Sequence, residues 1–275
     1  MVTSPPTLEQ AASKQQTLNV STKHPFPVAD VLGLPIACVT YVDVLSHLNN
    51  CLAKRQKTFC VTLNLDILRI TGEKPDFHKV VQKSDFVFAD GMPILWLAKL
   101  NKQNSEIPER VAGCDIAHDL CRLSHRNGYR VFILGAAPGV ADLAVEKLRA
   151  ELPNMQVAGT YSPAFSELQD TAQSQAIIER INQANTDILL VALGAPKQEL
   201  WIAKNLAQLD VGVILPCGGS IDFIAGVQKK SPQWIGKLGL EWFYRMAYNP
   251  KRLFERYIVH DLPFLIKACI QQNKP

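Results

Sequence analysis

Residues 187–199 read D-I-L-L-V-A-L-G-A-P-K-Q-E. The short aliphatic run that opens this segment is typical of a strand buried in a parallel sheet. Gly194 ends the run, and Pro196 suits the first position of the helix that the pattern predicts over residues 196–209. The segment therefore predicts a strand, a tight turn and a helix, which together form the repeating unit of α/β proteins.

Segments of the same kind recur along the chain. Apolar, strand-like runs occupy residues 58–66, 86–90, 130–135, 155–161 and 211–219, and amphipathic helical patterns occupy residues 115–126, 140–151 and 166–184. Their alternation predicts an α/β fold with a Rossmann-like parallel sheet, right-handed crossovers and helices on both faces. With 275 residues, of which 47% are hydrophobic, the chain can bury one large core.

The two ends differ from the middle in composition. Residues 1–30 are polar and rich in proline, which predicts a flexible leader rather than a signal peptide, so we expect a cytoplasmic protein whose main domain spans residues 31–228. Residues 229–275 carry nine basic and three acidic residues, a net charge of +6, interleaved with aromatic residues. This tail predicts a helical C-terminal appendage that docks on a membrane surface, although a solvated basic face fits the charge equally well.

Several function classes are disfavoured. The apolar tract at residues 257–270 is interrupted by His260, Asp261, Pro263 and Lys267, which predicts a segment that lies on a membrane rather than one that crosses it. Seven cysteines without a C-x-x-C pair indicate reduced thiols. No H-E-x-x-H, D-x-D or Cys/His cluster is present, so no metal site is expected. We expect no nucleic-acid partner.

Polar and glycine residues follow the predicted strands directly. Because ligands of such sheets bind beyond the carboxyl ends of the strands, these positions are the candidate site. They are Thr62, Asn64, Asp90, Gly135, Lys197, Gln198 and Asp222.

Each candidate also has a structural explanation. Asp90 closes an apolar strand, where partial desolvation would raise the pKa of its carboxyl and suit it to be a general base, but it could equally cap the next helix. Thr62 and Asn64 share one side of their strand and could face a ligand or pair with buried polar groups.

The two glycine-containing loops are similarly ambiguous. The turn that starts at Gly135 could bind a phosphate at a helix N-terminus or serve as a tight connection, and the stronger G-x-G-x-x-G fingerprint is absent from the chain. Lys197 and Gln198 could hold a diphosphate or a sugar, or simply start a helix. In the tail, Asn249 and Pro250 predict a helix start.

Three tail arginines could converge on a diphosphate by forked hydrogen bonds. They are Arg245, Arg252 and Arg256.

Taken together, the motifs resemble those of the WecG/TagA/CpsF family of bacterial glycosyltransferases. The resemblance spans about residues 31–264 and rests on several segments in the same order. They are V-T-L-N (61–64), F-A-D-G (88–91), E-R-V-A-G-C-D (109–115), V-F-I-L-G-A-A-P-G-V (131–140), G-A-P-K-Q-E-L-W-I (194–202), G-L-E-W-F-Y-R (239–245) and N-P-K-R-L-F-E-R-Y (249–257).

The resemblance implies an inverting transfer of a hexose or N-acetylhexosamine from a UDP-sugar to a sugar carried by a polyprenyl diphosphate, without a divalent metal or other cofactor. The family builds cell-surface polysaccharides, including wall teichoic acid linkage units. It further implies that Asp90 is the base with Thr62 beside it, that Gln198 holds the donor, and that Asn64 and Asp222 lie close to the nucleotide. The tail arginines would close over the site at the inner face of the plasma membrane.

Two positions depart from the family pattern. Lys230 stands where many members have arginine, and the last family arginine is displaced, so its role is transferred to Arg256. Two alternatives stay open: a non-catalytic nucleotide-sugar or lipid-binding protein, and a nicotinamide-dependent oxidoreductase. We also hypothesise that the aromatic tail packs against a second copy, as a homo-oligomer, and releases it at a membrane.

Overall fold

The computed structural model describes residues 25–229, Tyr244, Met246 and residues 253–272. Its strands are β1 (Val28–Val31), β2 (Leu34–Ala37), β3 (Thr58–Leu63), β4 (Phe86–Ala89), β5 (Arg130–Gly135), β6 (Gln156–Tyr161), β7 (Ile188–Ala192) and β8 (Val213–Pro216). Six of them form one sheet in the order β4-β3-β8-β7-β5-β6, and every neighbouring pair is parallel. The predicted parallel sheet is confirmed.

Helices connect the strands and cover both faces of the sheet. They are α1 (Tyr41–Ala53), α2 (Leu65–Glu73), α3 (Pro75–Lys83), α4 (Met92–Leu100), α5 (Gly113–Asn127), α6 (Val140–Glu151), α7 (Phe165–Gln169), α8 (Thr171–Gln183), α9 (Lys197–Asn205) and α10 (Ser220–Ile224), followed by a π-helix (Glu255–Asp261) and α11 (Leu262–Gln272). The single helix predicted over residues 166–184 is two helices. Asp170 ends α7 and caps α8, because its side chain accepts the backbone N–H of Gln173 at 2.8 Å.

The core consists of two apolar layers separated by the sheet. Along β5, Phe132 and Leu134 belong to one layer while Val131 and Ile133 belong to the other, as the two-residue alternation of a strand requires. The first layer packs against α2, α3, α4, α8 and α9, and the second against α1, α5, α6 and α10. A strand buried on both faces needs apolar residues throughout, which is why these strands appear in the sequence as uninterrupted apolar runs.

An antiparallel hairpin of β1 and β2 precedes the sheet. It starts at Val28, inside the range that was expected to be the leader. Its two-residue turn places Leu32 and Gly33 at φ values of 53° and 83°, the left-handed conformation that such hairpins require. Ala29, Val31, Leu34 and Ile36 are fully buried, so the hairpin is part of the core and not a flexible extension.

Helix α11 packs one face on the core and leaves another in solvent. Phe264, Leu265 and Ala268 contact the first apolar layer. Leu262, Ile266 and Ile270 are 46%, 57% and 63% exposed. Within the described ranges, no helix combines the length and apolar character needed to cross a membrane.

Candidate functional site

A cleft of about 690 Å³ opens beyond the carboxyl ends of β3, β4, β5, β7 and β8. Loops from all five strands and the start of the π-helix line it. Of the residues predicted from the sequence, those that line the cleft are Thr62, Asn64, Asp90, Lys197, Gln198, Asp222 and Arg256. Gly135 does not, although Ala136 and Ala137 beside it do. Arg245 and Arg252 fall outside the described residues.

Thr62 and Asp90 come from neighbouring parallel strands. Thr62 stands opposite Phe88 in the ladder, and the backbone N–H of Asp90 donates to the carbonyl of Leu63 at 2.7 Å. Gly91 occupies the N-cap of α4, so Asp90 precedes the helix and is not its cap. A carboxyl and a hydroxyl from neighbouring strands thus both line the cleft.

Thr62 is in turn held by the start of α5. A β-carbon on Gly113 would lie 2.9 Å from Thr62 Cγ2 and 3.1 Å from its Oγ1, closer than side chains pack. Only glycine lets the first turn of α5 approach the strand so closely.

Asn64 caps a helix and also lines the cleft. Its side-chain oxygen accepts the N–H of Ile67 at 3.0 Å and so caps α2, and the residue also lines the cleft. The cap fixes the orientation of its amide toward the helix, which limits what the oxygen can offer a ligand.

Gly135 is required by packing. Its φ is +103°, and a β-carbon there would lie 2.5 Å from the carbonyl oxygen of Ala192 in β7. That oxygen also accepts the N–H of Ala136 at 2.8 Å. The loop is therefore a tight strand-to-helix connection, and its contribution to the cleft comes from Ala136 and Ala137.

The first turn of α9 contains a buried amide and a buried acid. Gln198 Oε1 accepts the backbone N–H of Gly194 and that of Gly218, each at 3.2 Å, and its Nε2 donates to Glu199 Oε1 at 2.8 Å. Gln198 is 4% exposed and Glu199 is fully buried. Burial raises the pKa of Glu199 to about 7.

Lys197 and Phe165 form one edge of the cleft. The Lys197 ammonium lies 4.2 Å from the centre of the Phe165 ring, which is a cation–π contact. Both side chains are exposed, and Phe165 is 48% accessible. This edge of the cleft therefore has a cation stacked on a partly exposed aromatic ring.

Asp222 faces the cleft from α10. Its backbone carbonyl accepts the N–H of Val227 at 2.9 Å, and its carboxylate accepts from Gln228 Nε2 at 3.3 Å. These bonds hold the loop after α10 against the helix, so Asp222 is fixed in place.

Four charged residues connect the C-terminal segment to α2. Arg69 contacts Asp66 at 2.7 Å and Asp261 at 3.2 Å, and Arg256 contacts Asp66 at 3.1 Å and Asp261 at 3.6 Å. Asp261 is 4% exposed, and burial, followed by the charge of Asp66, raises the pKa of its carboxyl. Arg256 thus lines the cleft while paired with two carboxylates, and a phosphate there would have to replace them.

Sequence reasoning assigned no role to two residues that line the cleft, Asp66 and Phe165, or to Glu199, which contacts the lining residue Gln198. Asp66 was assigned no role, although Arg69 one turn later was a signal of a local ion pair. Phe165 lies in a short helix without a distinctive motif. Glu199 lies in the first turn of α9 and was assigned no functional role; it is buried because α9 packs this face against the body of the protein.

No group of three or more His, Cys, Asp or Glu side chains suited to a metal ion occurs among the residues that the structure describes. All seven cysteines are free thiols.

Comparison with known proteins identifies relatives for most of the chain. The model of the glycosyl transferase WecG/TagA/CpsF family matches residues 29–275. An N-acetylglucosaminyldiphosphoundecaprenol N-acetyl-beta-D-mannosaminyltransferase of Bacillus subtilis (strain 168) is 33% identical over 191 residues, which cover 70% of this chain and 72% of the relative. The protein of the same name from Staphylococcus aureus (strain NCTC 8325 / PS 47) is 26% identical over 226 residues, 82% of this chain and 86% of the relative.

Proposed function

Because the chain belongs to the WecG/TagA/CpsF family of glycosyl transferases, we propose that it transfers a hexose or N-acetylhexosamine from a UDP-sugar to a sugar on a polyprenyl diphosphate. The product is an intermediate of cell-surface polysaccharide, of the teichoic acid linkage type. The single observation that carries this proposal is that Asp90, Thr62, Lys197 and Asp222 all line the same cleft. The relatives' names supply the acceptor class, a lipid-linked N-acetylglucosamine.

The chemistry is a direct displacement with inversion at the anomeric carbon. Asp90 takes the proton of the acceptor hydroxyl as that oxygen bonds to the anomeric carbon, and the bond from carbon to UDP breaks with its electron pair on the diphosphate. Thr62, fixed by Gly113, orients the acceptor or the sugar next to Asp90.

The diphosphate needs compensating positive charge as it leaves. Lys197 supplies an exposed ammonium at the cleft, and Arg256 adds a guanidinium group from the C-terminal segment. We propose that these cations act without a divalent metal. The exposed ring of Phe165 offers the uracil a stacking surface beside Lys197.

The lipid acceptor places the reaction at a membrane surface. The exposed apolar stripe of α11 lies on the same C-terminal segment as Arg256, so docking of this segment would bring the cleft to the diphosphate head group. The protein is then a peripheral membrane enzyme.

The test is UDP release by purified protein from a panel of UDP-sugars, with and without a short-chain polyprenyl diphosphate sugar and in the presence of EDTA. Acceptor-dependent release in EDTA is expected. UDP binding without any release would favour the non-catalytic binding protein, and absence of UDP binding would contradict the proposal. Family membership already argues against the nicotinamide-dependent oxidoreductase.

The role of Asp90 is tested by Asp90→Asn, which keeps the shape of the side chain but cannot accept a proton. Turnover should fall by about 10²–10⁴-fold while UDP affinity is retained. Asp76→Asn, at an exposed position on α3, is the matched control and should behave as the wild type. Normal turnover of Asp90→Asn would remove Asp90 as the base.

A further inference from the structure

Two loops of the cleft meet at a single side-chain atom. Gln198 Oε1 accepts the N–H of Gly194, which follows β7, and the N–H of Gly218, which follows β8. The first loop leads to Lys197 and the second to Asp222, and both of these residues line the cleft. The distance between the two candidate donor-binding residues therefore depends on how Gln198 is held.

An amide can fulfil this role in only one orientation. Backbone N–H groups need an acceptor, so the oxygen of Gln198 must face them, and its NH₂ group must then point the other way. At 4% exposure that NH₂ group has little access to water, and an unpaired buried donor is costly. Glu199 Oε1, at 2.8 Å, is the acceptor that satisfies it.

Glu199 itself is an unusual residue for the interior. It is fully buried, its Oε2 has no hydrogen-bond partner among the described residues, and the nearby carboxylate of Asp66 further disfavours its charge. Burying a carboxyl with an unsatisfied oxygen reduces stability, so packing alone does not explain its presence. Its one hydrogen bond to another side chain in the described structure is the bond to Gln198.

We propose that Glu199 is a positioning residue for donor binding: it fixes the amide of Gln198 and thereby the spacing of the loops that carry Lys197 and Asp222. This inference rests on the proposed function for its ligand, a nucleoside diphosphate sugar. Its structural part, the orientation of Gln198 and the order of the two loops, does not depend on the identity of the ligand.

The experiment compares Glu199→Met, which has a similar volume but no acceptor, with Glu199→Gln, which keeps a carbonyl acceptor. Glu199→Leu is a second variant without an acceptor. Glu146→Met, at an exposed position on α6, is the matched control. UDP affinity is measured by calorimetry, and KM and kcat are measured by UDP release.

Loss of the hydrogen-bond acceptor at position 199 should raise the UDP Kd and the KM for the UDP-sugar by about tenfold. The KM for the lipid-linked sugar, and kcat at saturating UDP-sugar, should stay within about twofold. Glu199→Gln should stay close to the wild type. In a double-mutant cycle, Glu199→Met should add nothing to Gln198→Met, because Glu199 acts through Gln198. If Glu199 served general stability instead, its loss would lower kcat and the kcat/KM values for both substrates together. The effects of the two substitutions would then be additive.

Hydrogen exchange separates failure of this inference from failure of the proposed function. The amides of Gly194 and Gly218 should exchange at least about tenfold faster in Glu199→Met and Glu199→Leu than in the wild type, and Glu199→Gln should protect them. Unchanged exchange at both glycines would overturn the inference. Faster exchange in a protein whose wild type binds no UDP would leave the loop linkage standing and contradict the proposed function.

Discussion

Glu199 makes the free energy of unfolding depend on pH, and the sign of that dependence follows from the pKa of its carboxyl. Burial raises the pKa from an ordinary value of 4.5 to about 7, so the folded protein holds this proton at pH values where the unfolded chain has lost it. The free energy of unfolding that Glu199 contributes is therefore highest below about pH 4.5 and decreases as the pH rises to about 7.

Glu199→Gln tests this dependence because glutamine has no proton to lose. Between pH 4.5 and 7.5 the free energy of unfolding of the wild type should decrease relative to that of the variant by up to roughly 3 kcal/mol. Urea unfolding at a series of pH values measures the difference. Glu146→Gln, at an exposed site, should run parallel to the wild type, and a parallel curve for Glu199→Gln would show that the carboxyl titrates normally.

Asp90 and Glu199 show how neighbours decide what a carboxyl can do. Asp90 lines the open cleft, where a substrate hydroxyl can reach it. Glu199 is fully buried in the first turn of α9 and contacts Gln198. The sequence places both residues after an apolar strand, and only the packing of α9 distinguishes a candidate base from a positioning residue.

At the scale of elements, β3 and α5 are in such close contact that a single added methyl group at Gly113 should displace Thr62. Gly113→Ala would place a methyl group 2.9 Å from Thr62 Cγ2, so either the strand or the first turn of α5 must move. Overpacking of this kind costs about 1–3 kcal/mol. Displacement of Thr62 should lower kcat by about 10- to 100-fold, because reacting groups tolerate little misplacement.

A compensating substitution makes this prediction specific. Thr62→Ser removes the Cγ2 methyl but keeps the hydroxyl, so Gly113→Ala combined with Thr62→Ser should recover part of the lost turnover. Thr62→Ser alone is the control for the hydroxyl. If turnover of the double variant is no better than that of Gly113→Ala, the contact with Thr62 is not the cause of the loss.

The π-helix and α11 are joined to α2 by charge as well as by apolar packing. Arg69 is the common partner of Asp66, Glu73 and Asp261. Arg69→Met would leave the buried carboxyl of Asp261 with Arg256 alone, at 3.6 Å. Because an under-compensated buried charge is costly, hydrogen exchange should show the opening free energy of α11 reduced by about 3 kcal/mol.

The matched control for Arg69→Met is Lys79→Met, which breaks an exposed ion pair with Asp76. Exposed ion pairs contribute little to stability, so the hydrogen-exchange protection of α11 should not change. Adding Asp261→Asn to Arg69→Met should restore part of the protection, since the uncompensated charge is gone. Full protection of α11 in Arg69→Met would mean that apolar packing by Phe264 and Ala268 is sufficient to hold the helix.

At the scale of the whole molecule, the sheet was predictable and the additions to it were less so. Buried parallel strands are apolar throughout, so β3, β4, β5, β7 and β8 stand out in the sequence, whereas the edge strand β6 is half-buried and less apolar. Helix α2 does not stand out, because only Asn64 separates it from β3 and its Ile67, Leu68 and Ile70 prolong the same apolar pattern. The hairpin of β1 and β2 is short, and its turn lacks the usual Asn-Gly signal.

The same physical reason decides which residues of the site could be predicted from the sequence. Residues at the carboxyl ends of strands, such as Thr62 within β3 and Asp90 directly after β4, were predictable because parallel strands bring these ends to one edge. Roles that depend on packing were not. The burial of Glu199, the pairing of Arg256 with Asp66, and the loop contact of Gln198 arise between elements far apart in sequence.

The exposed stripe of α11 yields a prediction about the molecule as a whole. Leu262, Ile266 and Ile270 lie four residues apart on one face of the helix, with the basic Lys267 beside them. An apolar helix face with basic neighbours binds at an anionic lipid surface, through both buried area and charge. The same stripe could instead cover a second copy of the chain, and the two explanations make different predictions.

Ile266→Ser with Ile270→Ser should weaken binding to vesicles that contain phosphatidylglycerol by at least about tenfold, since each isoleucine contributes on the order of 1 kcal/mol when partly buried in lipid. Val42→Ser, at an exposed position on α1, is the control and should bind as the wild type. Flotation with the vesicles measures binding, and sedimentation velocity without lipid measures association. If the stripe is instead an interface between copies, the double variant should become monomeric while its vesicle binding stays unchanged, and membrane docking through α11 would then be wrong.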